Sequence, residues 1–505
     1  MSGGSVDLDR LTAAGVRQGA LAGKSVTVLG LARSGIAMAR YFNDAGARVT
    51  IYDGRAATEL AGAINQLGGR PVDLRLGPEV DPATAWADAD LIATSPSINP
   101  DFPTAEPRLR AALRAVVDAH AANPEGSPAL VSETDLFLRM CPCPTIGVTG
   151  TKGKTTTSSL IAALLATDET HAAILGGNIG VPLVERLPEL TPQHRVVIEL
   201  SELQMPTLSR GTTIAVYTNV TADHLDRHGS LEQYRKVKRR LAELVDPAGA
   251  LVLNIDDPVV ASFADAAQVR VHFYGHGAPG RGGTGLEDGW IVESAWPEAG
   301  VRRILPVSEL AIPGEHNVSN AMAAVTAARL FGIPPEAIRR AAAAFKGVEH
   351  RLEQVAVVDG VRFINDSQGT QPDAVIAALR SFPRPLILIA GGRDKGVDLS
   401  GLGPVAAERA DAAILIGESG RALAAMFRES GVARVEMAAT LGEAVARGDE
   451  IARGLLASGS GAPATVLMSP AAASFDMFVD YAARGRAFRD AVAALSDRHV
   501  TESAG

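Results

Sequence analysis

Residues 145 to 159 read TIGVTGTKGKTTTSS, an apolar run that breaks into glycines and then enters a threonine-rich helix at Gly153-Lys154-Thr155. A strand that feeds a glycine turn and then a helix is the βα step of a mainly parallel sheet, so this stretch fixes an α/β architecture. It also builds an anion cradle. The backbone amides of Gly150, Thr151, Lys152, Gly153, Lys154, Thr155 and Thr156 face one point at the positive end of the helix dipole. Lys154 adds charge there, and the Thr155 hydroxyl can reach a phosphate-bound Mg²⁺. The generic phosphate-loop pattern places a glycine five positions before the Gly-Lys pair; Val148 stands there, and the extra glycine is Gly150.

The same βα grammar recurs along the chain. SVTVLGLARSGIAMARYFNDAGARVTIYD (25–53) reads as strand, glycine turn, helix and second strand, and ADLIATSPSI supplies a later strand of the same sheet. RVVIELSE, TTIAVYTNV and GALVLNIDD follow the phosphate loop, then a glycine-rich stretch, YGHGAPGRGGTGLEDG, that reads as a mobile loop or hairpin. RFINDS, PLILIAGG, AAILIG and ATVLMSP make a third sheet. With 505 residues and roughly 100 to 200 residues per domain, three domains are expected. They are residues 1–141, Rossmann-like; 142–345, carrying the phosphate loop; and 346–505, a C-terminal Rossmann-like α/β domain.

Composition excludes other classes. A net charge of −9 argues against a nonspecific nucleic-acid binder. The two cysteines, Cys141 and Cys143, flank a single proline and are too close together to staple a fold. The first twenty residues carry acidic and polar side chains, and no apolar run reaches about 18 residues, so a cytosolic protein without membrane insertion is expected.

The loop TGTKGKTT resembles the ATP loop of the Mur ligase superfamily, the ATP-dependent amide ligases of peptidoglycan precursor synthesis. GGNIG (176–180), IELSELQ (198–204), TNVTADHLDRH (218–228), YRKVK (234–238), EHNVSNAMAA (315–324), EHRLE (349–353), NDSQGTQP (365–372), GGRDKG (391–396) and SPAAASFDMFVDYAARGRAF (469–488) follow in the family's order. The last two segments and the N-terminal unit are most similar to the branch that adds D-glutamate. This implies UDP-N-acetylmuramoyl-L-alanine and D-glutamate as substrates, ATP and Mg²⁺ as cofactors, and a monomer.

The chemistry explains the residue types. A carboxylate must be phosphorylated before an amine can displace its oxygen, and phosphoryl transfer between anions needs cations at the transferring oxygens. Glu199 ends an apolar strand and is a Mg²⁺-ligand candidate with Thr155. By resemblance His224 serves a second Mg²⁺, Asn178 lines the same region, and Lys238 is carbamylated to an oxygen ligand. Taken alone, His224 reads as a surface or capping histidine, Glu199 as a strand-end acid, and Lys238 as part of a solvated basic face. Arg235, Lys236, Arg239 and Arg240 crowd Lys238 in sequence and would disfavour another ammonium.

Asn317 and Asn320 are expected at adenine, with Arg351 and Asp366 nearby, although helix capping would account for the asparagines. Leu31, Ala32, Arg33, Asp53, Gly54, Arg55, Ser95 and Ser97 are expected at the UDP part of the substrate; Ser95-Pro96-Ser97 stands where relatives have Ser-Pro-Gly. Thr370, Lys395, Ser474, Phe475 and Tyr481 are expected at glutamate. Their alternatives are a turn cap for Ser474, core packing for Phe475 and Tyr481, and an exposed loop for Lys395. Gln368 and Gln371 stand where many relatives carry lysine and asparagine.

Three rival functions remain on the sequence. One is a sister ligase that adds L-glutamate or another amino acid; another is an ATP-driven switch. The third is a nicotinamide-dependent oxidoreductase, suggested by Gly30, Gly35 and Asp53 at dinucleotide-fingerprint spacing, with Ala32 in place of the middle glycine.

Overall fold

The central strands of the sheets are continuous buried apolar runs rather than alternating ones, as a parallel sheet demands when helices cover both faces. Three sheets result. The computed structural model describes residues 5–503 apart from 97, 102–105, 222–229, 281, 295–299, 313, 371, 394–398 and 460–462. The chain divides into two compact units, Met1–Phe345 and Lys346–Gly505.

The first unit holds two sheets. Strands β1 (Ser25–Leu29), β2 (Arg48–Asp53), β3 (Val72–Leu76), β4 (Leu91–Thr94) and β5 (Ala129–Ser132) form an all-parallel sheet in the order β3-β2-β1-β4-β5. Its strand order reverses between β1 and β4, so the loop after β1 opens onto the crevice where such sheets bind ligands. The second sheet contains β6 (Thr145–Thr149), β7 (Ala173–Gly177), β8 (Arg195–Glu199), β9 (Ile214–Tyr217), β10 (Ala250–Asn254), β11 (Arg270–Tyr274), β12 (Thr284–Glu287), β13 (Trp290–Ser294) and β14 (Val301–Pro306). Their order is β14-β13-β12-β11-β10-β9-β6-β8-β7. From β12 to β11 and on to β7 the pairing is parallel, whereas β12, β13 and β14 pair antiparallel. The glycine-rich stretch therefore ends in a hairpin. Asp288 (φ 49°) and Gly289 (φ 75°) give it two left-handed turn residues, the geometry that two-residue hairpins favour.

A helix at Glu133–Met140 leads from the first sheet to the second. Its buried acids have partners: Asp135 accepts from the Ser209 amide and hydroxyl, each at 2.7 Å, and from Arg139 at 2.9 Å. Glu133 accepts from the Val184 amide at 3.1 Å, and burial pushes its carboxyl above the usual range. In the second sheet, the helix Lys154–Leu165 packs on the helix Glu315–Leu330. Buried Ala321, Ala324, Ala327 and Ala328 leave room for that close approach.

The second unit has one sheet: β15 (Glu353–Val358), β16 (Val361–Asn365), β17 (Leu386–Gly391), β18 (Ala412–Ile416), β19 (Val435–Met437) and β20 (Ala464–Met468). The order is β15-β16-β20-β17-β18-β19, antiparallel only between β15 and β16. The C-terminal ends of β16 and β20 lie side by side, Asn365 opposite Met468, so the loops after them emerge together.

Candidate active site

Strand β6 is buried at all five residues and delivers the phosphate loop from between β9 and β8 in the second sheet. Two of the loop's glycines are there for backbone reasons. Gly150 has φ 148° and Gly153 φ 84°. A Cβ on Gly150 would stand 2.0 Å from the Thr218 hydroxyl, and one on Gly153 2.4 Å from Asn320 Oδ1. The segment after β9 cradles the loop from below. The Thr151 amide donates to Asn219 O at 2.7 Å, the Lys152 amide to Asn219 Oδ1 at 2.9 Å, and the Thr218 hydroxyl to Lys152 O at 2.6 Å. Lys154 folds back over the loop and donates to Gly150 O at 3.1 Å and Thr151 O at 2.9 Å. Thr155 and Thr156 are half-buried in the first helical turn.

Glu199 lies at the end of β8, level with Val148 on β6. It is buried; Oε1 accepts from Asn178 Nδ2 at 3.0 Å, while Oε2 is buried with no hydrogen-bond partner among the described residues. The backbone fixes this pair, because the Asn178 amide donates to Glu199 O at 2.9 Å and Gly177 takes φ 99° beside it. A buried carboxylate oxygen without a donor is costly in isolation and is relieved by a cation. An oxygen-only donor next to a phosphate cradle suits Mg²⁺. The residues present therefore fit the metal.

Lys238 is fully buried on the helix Leu231–Leu244. Its Nζ donates to Gly150 O at 3.1 Å and Thr149 Oγ1 at 3.3 Å, lies 3.9 Å from Glu202 Oε2, and sits 5.6 Å from the centre of the Tyr234 ring. The solvated-face reading of this lysine fails, and so does the crowding argument. Helical spacing puts Tyr234, Lys238 and Leu241 on the inner face and leaves Arg235 and Lys236 exposed, so the close charge is a carboxylate. Sequence reasoning did not single out Glu202, Thr218, Asn219 or Tyr234. Asn320 is buried and accepts from the Thr157 hydroxyl at 3.2 Å, and its Nδ2 donates to Asn317 Oδ1 at 3.2 Å. Neither asparagine caps the helix, whose N-cap is Gly314.

On the first sheet, Gly30 (φ 87°) turns the chain after β1. The Leu31 amide donates to Asp53 Oδ2 at 2.8 Å. Arg55 grips the same carboxylate through Nε at 3.0 Å and Nη2 at 2.7 Å, and its amide adds a third bond at 3.0 Å. Burial opposes ionisation of Asp53, but these donors outweigh it and hold the carboxyl below its ordinary range. Ala32 is the N-cap of the helix Arg33–Asp44 and makes no side-chain cap bond. Arg33 Nη1 donates to Gly180 O at 3.1 Å, joining the first glycine turn to the GGNIG loop. Gly54 is exposed beside Arg55, and Ser95 is buried after β4.

In the second unit, Asp366 follows β16 and is buried; it accepts from the Ser469 hydroxyl at 2.7 Å and the Leu352 amide at 3.2 Å. Burial pushes its carboxyl up to about 6. Arg351 is exposed next to Leu352. Arg484, which sequence reasoning passed over, is 1% exposed and ties both loops together. It donates to Ser367 Oγ at 3.0 Å and Ser367 O at 2.9 Å, and to Ala472 O at 3.2 Å and Ala473 O at 3.3 Å. Burial lowers it to about 10, against the pull of Asp476 and Asp366. Thr370 and buried Ser474 lie on these two loops. Phe475 is 65% exposed and Tyr481 40%, so the core alternative for them fails. His224, Ser97 and Lys395 lie outside the described residues.

Three α/β sheets, one of them carrying a phosphate loop beside an orphaned buried carboxylate, define a P-loop enzyme that uses a nucleotide and a divalent cation. Three family descriptions match successive parts of the chain: the Mur ligase MurD-like N-terminal domain at residues 24–120, the Mur ligase middle domain at 148–328, and the Mur ligase glutamate ligase domain at 350–461. A UDP-N-acetylmuramoylalanine–D-glutamate ligase of Symbiobacterium thermophilum is 38% identical over 476 residues, covering 93% of this chain and 98% of that one. Its counterpart in Pelotomaculum thermopropionicum is 37% identical over 475 residues, covering 94% and 98%. The crystal structure of UDP-N-acetylmuramate-alanine ligase MurC from Thermotoga maritima shares the fold at 18% identity, with TM-score 0.51, covering 93% of this chain and 99% of that one. The chain belongs to the Mur ligase family, the ATP- and Mg²⁺-dependent enzymes that form amide bonds.

Proposed function

We propose that the chain joins D-glutamate to the alanyl carboxylate of UDP-N-acetylmuramoyl-L-alanine, in the cytoplasm and as a monomer, on the route to peptidoglycan. The observation that carries the reading is Glu199 Oε2, a buried carboxylate oxygen beside the phosphate loop that has no partner among the described residues. The near-complete coverage of D-glutamate ligases supports the choice of substrates. Among the described residues no helix is long and apolar enough to cross a membrane.

The alanyl carboxylate attacks the terminal phosphoryl group of ATP and ADP leaves; the neutral glutamate amine then attacks the acyl carbon of the resulting acyl phosphate, and the amide forms as phosphate is expelled and the amine loses a proton. The loop amides and Lys154 hold the phosphates in line, which is most of what this transfer asks of a protein. Thr155 and Glu199 would hold Mg²⁺, which neutralises charge on the transferring oxygens. His224 and a carbamate on Lys238 would hold a second; addition of CO₂ to the neutral amine removes the buried ammonium and supplies oxygen donors. Asp53, Arg55 and the turn at Leu31, Ala32 and Arg33 would take the UDP part, with Ser95 and Ser97. Asn317, Asn320, Arg351 and Asp366 would take the nucleoside of ATP. Thr370, Lys395, Ser474, Phe475 and Tyr481 would take glutamate.

ADP release measured with UDP-N-acetylmuramoyl-L-alanine and a panel of amino acids tests this. D-Glutamate should drive release. Preference for L-glutamate would move the chain to a sister activity, and phosphate release that ignores amino acids would make it a switch. Tight binding of NADH would revive the oxidoreductase.

A further inference from the structure

The two cysteines take no part in this chemistry. The Cys141 amide caps the helix Glu133–Met140 by donating to Phe137 O at 2.8 Å. Pro142 holds its φ at about −65°, and the chain bends at Cys143 before β6 starts at Thr145. The bend sets the two Sγ atoms 3.5 Å apart, in contact, with Cys141 Sγ also 3.5 Å from Cys143 O. Both residues are half-buried. The thiols are not equivalent. The Cys143 thiol bonds to Cys141 sulfur and lowers the latter's pKa against the opposing effect of burial; the same bond, with burial, raises Cys143. Cys141 is thus the better nucleophile at neutral pH, since the thiolate is the reactive form.

We propose that Cys141 and Cys143 are an oxidation site, a dithiol that low-molecular-weight disulfides convert to an intramolecular disulfide. The Cys141 thiolate attacks one sulfur of the reagent RSSR, forming a mixed disulfide and releasing RS⁻. Cys143 then loses its proton to solvent and attacks Cys141 Sγ, expelling a second RS⁻. Two protein thiols are oxidised by two electrons, and one reagent disulfide is reduced to two thiols. Sulfurs already in contact make the second step intramolecular, so it outruns release of the adduct. The bond would bring the sulfurs from 3.5 Å to about 2.05 Å.

The full-length protein is incubated with oxidised glutathione, and its native thiols and intact mass are followed. Both thiols should disappear together, with a mass lower by two hydrogens, and dithiothreitol should restore them. Cys143→Ser should stop at one glutathionyl adduct on Cys141, and Cys141→Ser at one on Cys143, because neither variant keeps the second sulfur that would expel the glutathione. Circular dichroism confirms that each variant is folded. A stable glutathionyl adduct on the wild-type chain, or a disulfide between two chains, would overturn the proposal.

Discussion

Replacing Glu199 by glutamine keeps the shape of the side chain and removes its charge, which separates a metal ligand from a structural acid. In the structure Oε1 takes a 3.0 Å bond from Asn178, and Oε2 is buried without a partner among the described residues. The glutamine carbonyl can keep the Asn178 bond, now neutral and weaker by about 1 kcal/mol. Against that, a partnerless buried charge is exchanged for a partnerless amide, and a buried charge costs several kcal/mol more than a neutral polar group. The net change in stability without Mg²⁺ should therefore lie between about zero and +2 kcal/mol. Activity should move the other way. Losing charge stabilisation at the transferring phosphoryl group costs about 3 kcal/mol or more, at least ~10²-fold in turnover. Thermal unfolding in EDTA gives the first quantity, and ADP release at saturating substrates gives the second. A metal-binding role predicts opposite signs; a structural role predicts that both fall. Turnover within about threefold of wild type in the folded variant, or a loss of more than about 1 kcal/mol in EDTA, would refute the assignment.

Lys238→Ala should be inactive and partly restored by acetate, whose carboxylate can occupy the space of the proposed carbamate; activity that survives the substitution would leave the lysine as a packing residue. Lys395→Ala should raise the Michaelis constant for D-glutamate by roughly 10- to 150-fold, the worth of one charge-assisted hydrogen bond, and leave that for ATP unchanged; Gln368→Lys should change it less. Asp366 titrates near 6 in the folded chain, raised by burial from 3.8. Between about pH 4 and pH 6 the unfolded state has therefore lost a proton that the native state keeps, so this group's contribution to stability falls as pH rises through that window. Asp366→Asn should gain on wild type by up to about 3 kcal/mol across it and stay level above it. Urea midpoints for both proteins from pH 4 to 8 check this, and a constant difference would show that the buried carboxyl is not the cause.

The phosphate loop could be read from sequence because its chemistry is local. Gly150 and Gly153 adopt positive φ values that few other residues tolerate, and the loop follows a strand whose five apolar or small residues are all buried. Strands β1, β2, β4, β6, β8, β9, β10, β16, β17, β18 and β20 were legible for the same reason, as continuous apolar runs. Strand β3 was not, because it alternates half-buried and exposed residues at a sheet edge, and β19 is only three residues long. Antiparallel β15 sits at the other sheet's edge with Val357 exposed, so it lacks the buried-strand signature.

What sequence could not supply was the direction of polar side chains. Lys238 and Arg235 stand three residues apart in one basic run, yet one is wholly buried and the other exposed. The hydrophobic spacing of Tyr234, Lys238 and Leu241 could have exposed the difference, had Lys238 been counted as an inward position. Glu202 and Arg484 had no such signal: each reads as an ordinary charge, and becomes a partner only when two loops converge. Arg484 binds the carbonyls of Ala472 and Ala473 on one loop and Ser367 on the other. Those loops lie far apart in sequence, 103 residues between Asp366 and Ser469, and meet because Asn365 and Met468 are neighbours in register on β16 and β20. A guanidinium with four such bonds fixes the spacing of the loops that carry Asp366 and Ser474. Its burial is therefore explained by geometry that no single stretch of sequence contains.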